Sequence, residues 1–221
     1  MRLYLASTSP ARLATLRAVG VAPIVVPSKV DEEAAVASSG PLTTIEMVEF
    51  LARLKAEAVL GEGSTAFDDV AALAEPAAQF DGFILGCDSA FELDGVTYGK
   101  PHLPEVARER WLMQRGREGH LHSGHWLIDV RGGRVAGAAG GVSSSAVRFA
   151  SNITDEEIDA YVATGEPLKV AGAFTIDSLG APFISEVRGD PHAVVGLSVA
   201  LLRELLADFG VAWPSMWSRD L

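Results

Sequence analysis

Asp88 stands at the C-terminal end of a short apolar run, Phe83-Ile84-Leu85-Gly86-Cys87, and the small residues Ser89 and Ala90 follow it. A carboxylate there occupies the edge at which open α/β sheets present ligand groups. Beyond it, Phe91-Glu92-Leu93 and Val96-Thr97-Tyr98 flank Asp94-Gly95. Asp-Gly between apolar-rich runs predicts a β-hairpin, because a type I′ turn needs positive φ at both central residues. The hairpin returns the chain to Gly99-Lys100-Pro101, and a fold-back of this length can bring Lys100 near Asp88. An acid and an amine beside a glycine suit a charged substrate with a metal. Taken singly, a strand-end Asp and a turn Lys are ordinary surface charges.

Two further stretches can handle charge. Leu3-Tyr4-Leu5-Ala6 reads as a strand broken by Ser7-Thr8-Ser9-Pro10, after which Ala11 to Val19 has helical spacing and Gly20 stops it. Ser9 suits the N-cap and Pro10 the first helical position. That strand, loop and helix N-terminus point backbone N–H groups at the loop and favour anions. A second strand over Pro23–Pro27 exits into Asp31-Glu32-Glu33, acids that suit Mg²⁺ or merely open a loop. Cys87 is the sole cysteine, so an intrachain disulfide is impossible, and its run predicts a small buried apolar residue.

The elements around these residues follow from periodicity. Thr43 or Thr44 starts a long helix with Ile45, Val48, Leu51, Leu54, Ala58 and Val59 as its stripe and Lys55 beside it. Residues 61–81 have no clean period and read as an exposed insertion, with a short helix over 67–74. Helices are predicted over 104–116, 158–163 (after a Thr154 capping box) and 193–209. Strands are predicted over 126–130, 135–149 with an interruption at Gly137–Gly141, 171–176 and 182–187. The tail 213–217 is expected to pack back on the body. His120, His122 and His125 lack a carboxylate or thiol complement for zinc and read as pocket-edge or surface histidines.

The 221 residues are 48% hydrophobic and 21% charged, a globular composition with ample chain for a core. A net charge of −11 argues against broad binding to nucleic acid or anionic membrane. The N-terminus turns polar at once, without a secretory core, and no run of about 18 apolar residues occurs. A cytoplasmic, non-membrane protein is expected, and a homodimer is left open.

In order along the chain, LASTSPAR (5–12), VDE (30–32), LARLKA (51–56), GCDS (86–89), GKP (99–101), YVATGEP (161–167), AGAF (171–174) and VGL (195–197) occur. Together they resemble the Maf family of nucleoside triphosphate pyrophosphatases. The resemblance implies one α/β domain over 1–221 with an insertion near 61–82. Its fold is a Maf/ITPase-like, elongated mixed sheet with flanking helices and a central cleft between two lobes. It implies hydrolysis of (deoxy)nucleoside triphosphates, non-standard or modified ones included, to monophosphate and pyrophosphate, with Mg²⁺ or Mn²⁺. By the same resemblance Asp88 is the catalytic acid, and Ser7, Ser9, Arg12, Lys55 and Lys100 bind phosphate. Asp31, Glu32 and Asp88 hold the metal. Three positions depart from the family pattern and leave the base open: Ala11 for the first arginine of SPRR, Ser89 for Thr, and Asp177 for Gln. The family's histidine after SGR corresponds to Gly119. The alternatives are a purine enzyme of the ITP/XTP type and a non-catalytic nucleotide-binding regulator of septum formation.

Overall fold

The computed structural model describes residues 1–60 and 79–218. The expected insertion near 61–82 and its short helix therefore fall almost wholly outside the described residues. Seven strands among those described, β1 (Leu3–Leu5), β2 (Ile24–Val25), β3 (Phe83–Leu93), β4 (Val96–Tyr98), β5 (Glu118–Asp129), β6 (Gly137–Phe149) and β7 (Ile184–Arg188), form one mixed sheet in the order β2-β1-β3-β5-β6-β7, with β4 paired to β3. Residues cluster into two compact units: 1–88, 124–142 and 199–221 form one, and 89–123 with 143–198 form the other.

In the first unit β1 (Leu3–Leu5) lies parallel to β2 (Ile24–Val25) and to β3 (Phe83–Leu93), pairing Leu5 with Leu85. Between β1 and β2, α1 (Pro10–Ala18) has Ser9 as N-cap, Pro10 at its start and Gly20 at φ 85° after it, as predicted. α2 (Glu32–Ser39) was not expected; Asp31 caps it by accepting from the Ala34 N–H at 3.0 Å. The acids thus open a helix whose dipole favours them, and not a loop.

α3 (Thr44–Val59) opens with a complete Thr43–Glu46 capping box. Its buried face is Thr44, Val48, Leu51, Ala52, Lys55, Ala56, Glu57 and Val59, while Ile45 is exposed, so the stripe is turned from the expected one. Glycine fixes the turn. A Cβ on Gly86 of β3 would sit 2.0 Å from the Ala52 carbonyl oxygen, and one on Gly124 would sit 2.3 Å from that of Val48. The helix backbone lies directly on the two strands, which presses Lys55 inward. Below it Tyr4, Ala56, Leu60, Phe80, Ile84, Ile128 and Val130 form the core. The tail packs back within the unit, as expected: Met216 is buried and the Ser218 N–H donates to the Gly20 carbonyl at 2.7 Å.

The second unit is built round Trp111. The hairpin is as predicted: β3 returns through Asp94 (φ 53°) and Gly95 (φ 74°) into antiparallel β4 (Val96–Tyr98). α4 (Pro104–Gln114) carries Trp111, which stands edge-on to Phe149, Tyr161 and Phe183. Its Nε1 donates to the Ala173 carbonyl at 2.7 Å. Three expectations change here and next to it. Residues 171–176 are not a strand: Gly172 and Ala173 have positive φ, and the turn is held by Trp111 and by Gln114, whose Nε2 donates to the Gly172 carbonyl. β6 (Gly137–Phe149) runs unbroken through its glycines; a Cβ on Gly140 would come within 2.2 Å of the Trp126 ring, so the glycine makes room for the indole. The last helix is two, α6 (Pro191–Val195) and α7 (Val199–Asp208), because Gly196 at φ 118° ends the first. Between α4 and α6 in sequence order, besides β6, stand β5 (Glu118–Asp129), longer than expected, α5 (Asp155–Ala163) with its Thr154 capping box, and β7 (Ile184–Arg188), antiparallel to β6. No described helix is long and apolar enough to cross a membrane.

Candidate active site

In the first unit the Lys55 ammonium joins two carboxylates. Its Nζ lies 2.6 Å from Asp88 Oδ1 and 2.8 Å from Glu32 Oε1. The Lys55 side chain is 8% exposed and that of Asp88 10%, whereas that of Glu32 is 45% exposed. The group therefore runs from the buried strand end to solvent. Each partner comes from a different element: β3 ends its apolar run at Asp88, α3 turns Lys55 inward, and the first turn of α2 supplies Glu32. Burial raises the Asp88 pKa above the usual carboxylate range, and Lys55 and Arg12 only partly oppose it.

The β1–α1 loop brings a second cation. Arg12 is buried, and its Nη1 donates to the Cys87 carbonyl at 2.8 Å and to Ser7 Oγ at 3.2 Å. Ser7 Oγ also accepts from the Ser9 N–H at 3.2 Å, so its own proton is available to a ligand. Ser9 Oγ accepts from the Arg12 N–H at 3.4 Å. The strand, the loop hydroxyls and the positive end of α1 thus meet beside the residue preceding Asp88, an arrangement that suits phosphate oxygens. Cys87 is fully buried, and burial pushes its thiol up to about 11, so it is inert at neutral pH, as its apolar run predicted.

Sequence reasoning placed Ser7, Ser9, Arg12, Glu32, Lys55 and Asp88 in one site, and the first unit does bring them into this small region. Asp31 is different: one of its oxygens caps α2. Ala11 lies in the first turn of α1. Lys100, Ser89 and Asp177 belong to the second unit. Lys100 and Asp177 are exposed. The single proton of Ser123 goes to the Ala193 carbonyl at 2.7 Å, so Ser89, 2.7 Å from Ser123 Oγ, is the donor of that pair. The histidines are corrected: His120 is exposed, but His122 and His125 are buried. His122 Nδ1 meets Ser144 Oγ at 2.7 Å, and burial lowers its pKa.

One residue was quoted only as part of the YVATGEP segment and given no role. Both oxygens of Glu166 are enclosed by donors: Tyr161 Oη at 2.9 Å, Thr175 Oγ1 and Ser178 Oγ at 2.6 Å each, and the Leu179 and Gly180 amides at 3.3 and 3.2 Å. Burial alone would raise its pKa; the bonds from Ser178, Thr175 and Tyr161 outweigh it and hold the carboxyl at about 2. The Thr-Gly-Glu-Pro spacing was the available signal.

No group of three or more His, Cys, Asp or Glu arranged for a metal occurs among the described residues. Mg²⁺ and Mn²⁺, however, need only one or two protein carboxylates when phosphates complete the shell. Asp88 and Glu32 converge on one cation already, and they are hard oxygen donors, so this donor set fits such an ion.

A mixed sheet with a buried acid at a strand end, two buried cations and a helix N-terminus makes this a mixed α/β protein whose polar cluster suits an anionic ligand. The Maf-like protein family pattern matches residues 2–209, and the chain belongs to that family. It is 60% identical to the "Nucleoside triphosphate pyrophosphatase" of Leifsonia xyli subsp. xyli, over 99% of this chain and 98% of that one. The proteins of the same name from Salinispora tropica and Nocardia farcinica are 48% and 47% identical. Those alignments cover 99% and 97% of this chain, and 88% and 96% of theirs. Among solved structures, that of the Staphylococcus aureus Ham1 protein aligns over 95% of this chain and all of its own, at TM-score 0.45 and 14% identity, too distant to bear on function.

Proposed function

We propose that this protein is a hydrolase acting as one Maf-like catalytic domain, cleaving nucleoside triphosphates to nucleoside monophosphate and pyrophosphate. The observation that carries the reading is the Lys55 ammonium held between Asp88 and Glu32, beside the Ser7–Arg12 loop. Family membership and the names of the relatives support it.

In this reading Asp88 orients the attacking water and takes its proton. The water oxygen bonds to the α-phosphorus, the bond from that phosphorus to the α,β-bridging oxygen breaks, and the bridging oxygen leaves with pyrophosphate. Arg12 gives the phosphates a forked contact, Lys55 gives a point charge, and Ser7, Ser9 and the α1 N-terminus add donors. Asp88 and Glu32, with Asp31 next to them, would hold a divalent cation. When bound, that ion neutralises charge on the departing pyrophosphate. The enzyme acts in the cytoplasm, on triphosphates that include modified or non-standard ones.

Product analysis tests the class. Incubating the protein and Mg²⁺ with a panel of purine, pyrimidine and modified triphosphates should release monophosphate and pyrophosphate in equal amounts. Diphosphate with orthophosphate would place the cut at the wrong bond and refute the reading, as would tight binding without turnover in Mg²⁺, Mn²⁺ and Co²⁺ alike. A dominant ITP/XTP preference would assign the purine-type alternative.

A further inference from the structure

Sequence spacing offers the histidines near position 122 no clear carboxylate, and Glu118, on their own strand, is occupied by Arg148 and Arg188 at 2.8 and 2.5 Å. The fold brings another from the neighbouring strand. In the second unit Phe91 and Leu93 of β3, Leu121 of β5, and Val147 and Phe149 of β6 all belong to the Trp111 core. Side chains alternate across a sheet, so Glu92, His120, His122 and Ser144 share its opposite face. Gly119 keeps the two strands close there: a Cβ on it would lie 2.6 Å from the Glu92 carbonyl oxygen.

His122 is the buried member, its side chain 6% exposed. Its Nδ1 meets Ser144 Oγ at 2.7 Å, and Ser144 is exposed, so that hydroxyl accepts the ring proton while giving its own to solvent. Nε2 is then a buried lone pair, and it meets no hydrogen-bond partner among the described residues. An imidazole fixed through one nitrogen, with the other left open, is held as metal-binding histidines are held. Glu92 Oε2 lies 3.8 Å from Nε2. That is too long for a hydrogen bond and short for a bridging water, which spans about 4.5 Å. Two ligands at about 2.0–2.1 Å from one tetrahedral ion stand about 3.4 Å apart, so a small turn of the half-buried glutamate closes the gap. His120 stacks on His122 with ring centroids 6.1 Å apart and planes at 16°. The three donors do not close on one point as they stand, in keeping with the absence of any such group among the described residues. His120 is exposed, however, and its ring is free to swing toward Nε2 of its neighbour.

We propose that Glu92, His120 and His122 form a site for one Zn²⁺ ion on the outer face of the second unit's sheet. Two imidazoles and one carboxylate, with a fourth position left to solvent, are a zinc donor set, and imidazole selects against Mg²⁺.

Equilibrium dialysis of the untagged protein against Zn²⁺, with Mg²⁺ in excess, tests this. One Zn²⁺ per chain should be retained. His122→Gln, Glu92→Gln and His120→Gln should each weaken retention at least about tenfold, and Asp88→Asn should leave it unchanged. In nitrogen-15 imidazole spectra the His122 Nε2 resonance should move on adding Zn²⁺ while Nδ1 stays protonated. If His122→Gln does not fold, the other two variants and the spectrum carry the test. No retention overturns the site, and so does retention that Asp88→Asn abolishes and the three variants spare. Retention that only His120→Gln weakens, with the Nε2 resonance unmoved, is a surface ion and overturns it too.

Discussion

Asp88 is a buried carboxylate and Glu166 a half-buried one, and their surroundings push them in opposite directions. Asp88 sits at the end of an apolar strand with one strong partner, Lys55, and burial raises its pKa. Glu166 is met by five donors, and its pKa falls to about 2. Burial penalises charge in both, far more at the buried Asp88 than at the half-buried Glu166, and the number of donors differs as well. A carboxylate with one partner and a raised pKa is poised to take up a proton. One with every lone pair engaged is locked as an anion and serves as a fixed point for the chain round it. The first arrangement suits chemistry and the second suits architecture.

Substitution should separate the two sharply. Asp88→Asn keeps the shape and removes the base, so turnover should fall by about 10³-fold or more with the thermal midpoint nearly kept. Steady-state pyrophosphate release and a melting curve check it. A folded Asp88→Asn protein with a near-normal rate would end the assignment. Glu166→Gln should do the reverse, leaving kcat for the preferred substrate within a few-fold and lowering stability.

Lys55→Met probes the single-partner side from its other end. It leaves Asp88 buried without its main counter-charge, and the cost should be about 3–5 kcal/mol, read by urea unfolding. Adding Asp88→Asn to Lys55→Met removes the stranded charge and should restore part of that loss. If the double variant is no more stable than Lys55→Met alone, the pair is not coupled as its 2.6 Å contact indicates.

Gly86→Ala tests the packing that forces Lys55 inward. A Cβ 2.0 Å from the Ala52 carbonyl oxygen cannot be accommodated without moving α3 off the sheet. A loss of about 3 kcal/mol is expected, with activity falling further than that of an equally destabilised variant remote from the site. Activity that tracks stability alone would show that the α3–β3 contact does not position the site.

How much of this was legible depends on what each feature needed. The hairpin at Asp94-Gly95, the Ser9 cap and the Thr43 and Thr154 boxes are local chemistry, and they stand where the residues put them. The inward turn of Lys55 was not legible. Periodicity put it beside an apolar stripe, but only Gly86 and Gly124, brought under the helix by tertiary contact, settle which face is buried. The strand expected over 171–176 failed for a similar reason. Its apolar residues are used by a turn that Trp111 and Gln114 hold from another helix. Glu166 was visible as a letter in a motif, but its five donors lie from five residues before it to fourteen after it, and spacing alone does not say that they converge.

The smallest effect is the most direct measure of the Glu166 side. Its pKa moves from the ordinary 4.5 to about 2 in the folded protein. Between those values the unfolded chain binds a proton that the native state does not. The stability Glu166 confers is therefore full above about pH 5 and is lost as pH falls through 4.5 toward 2. Hydrogen bonds to a charged group are worth about 1.5–3 kcal/mol, so Glu166→Gln should cost about 2 kcal/mol at pH 7. Urea unfolding of wild type and Glu166→Gln at pH 7, 4 and 3 should show the gap between them narrowing as the solution is acidified. A gap that stays constant from pH 7 to 3 would mean the donors stabilise the amide as well as the anion, and the contrast with Asp88 would be one of packing and not of charge.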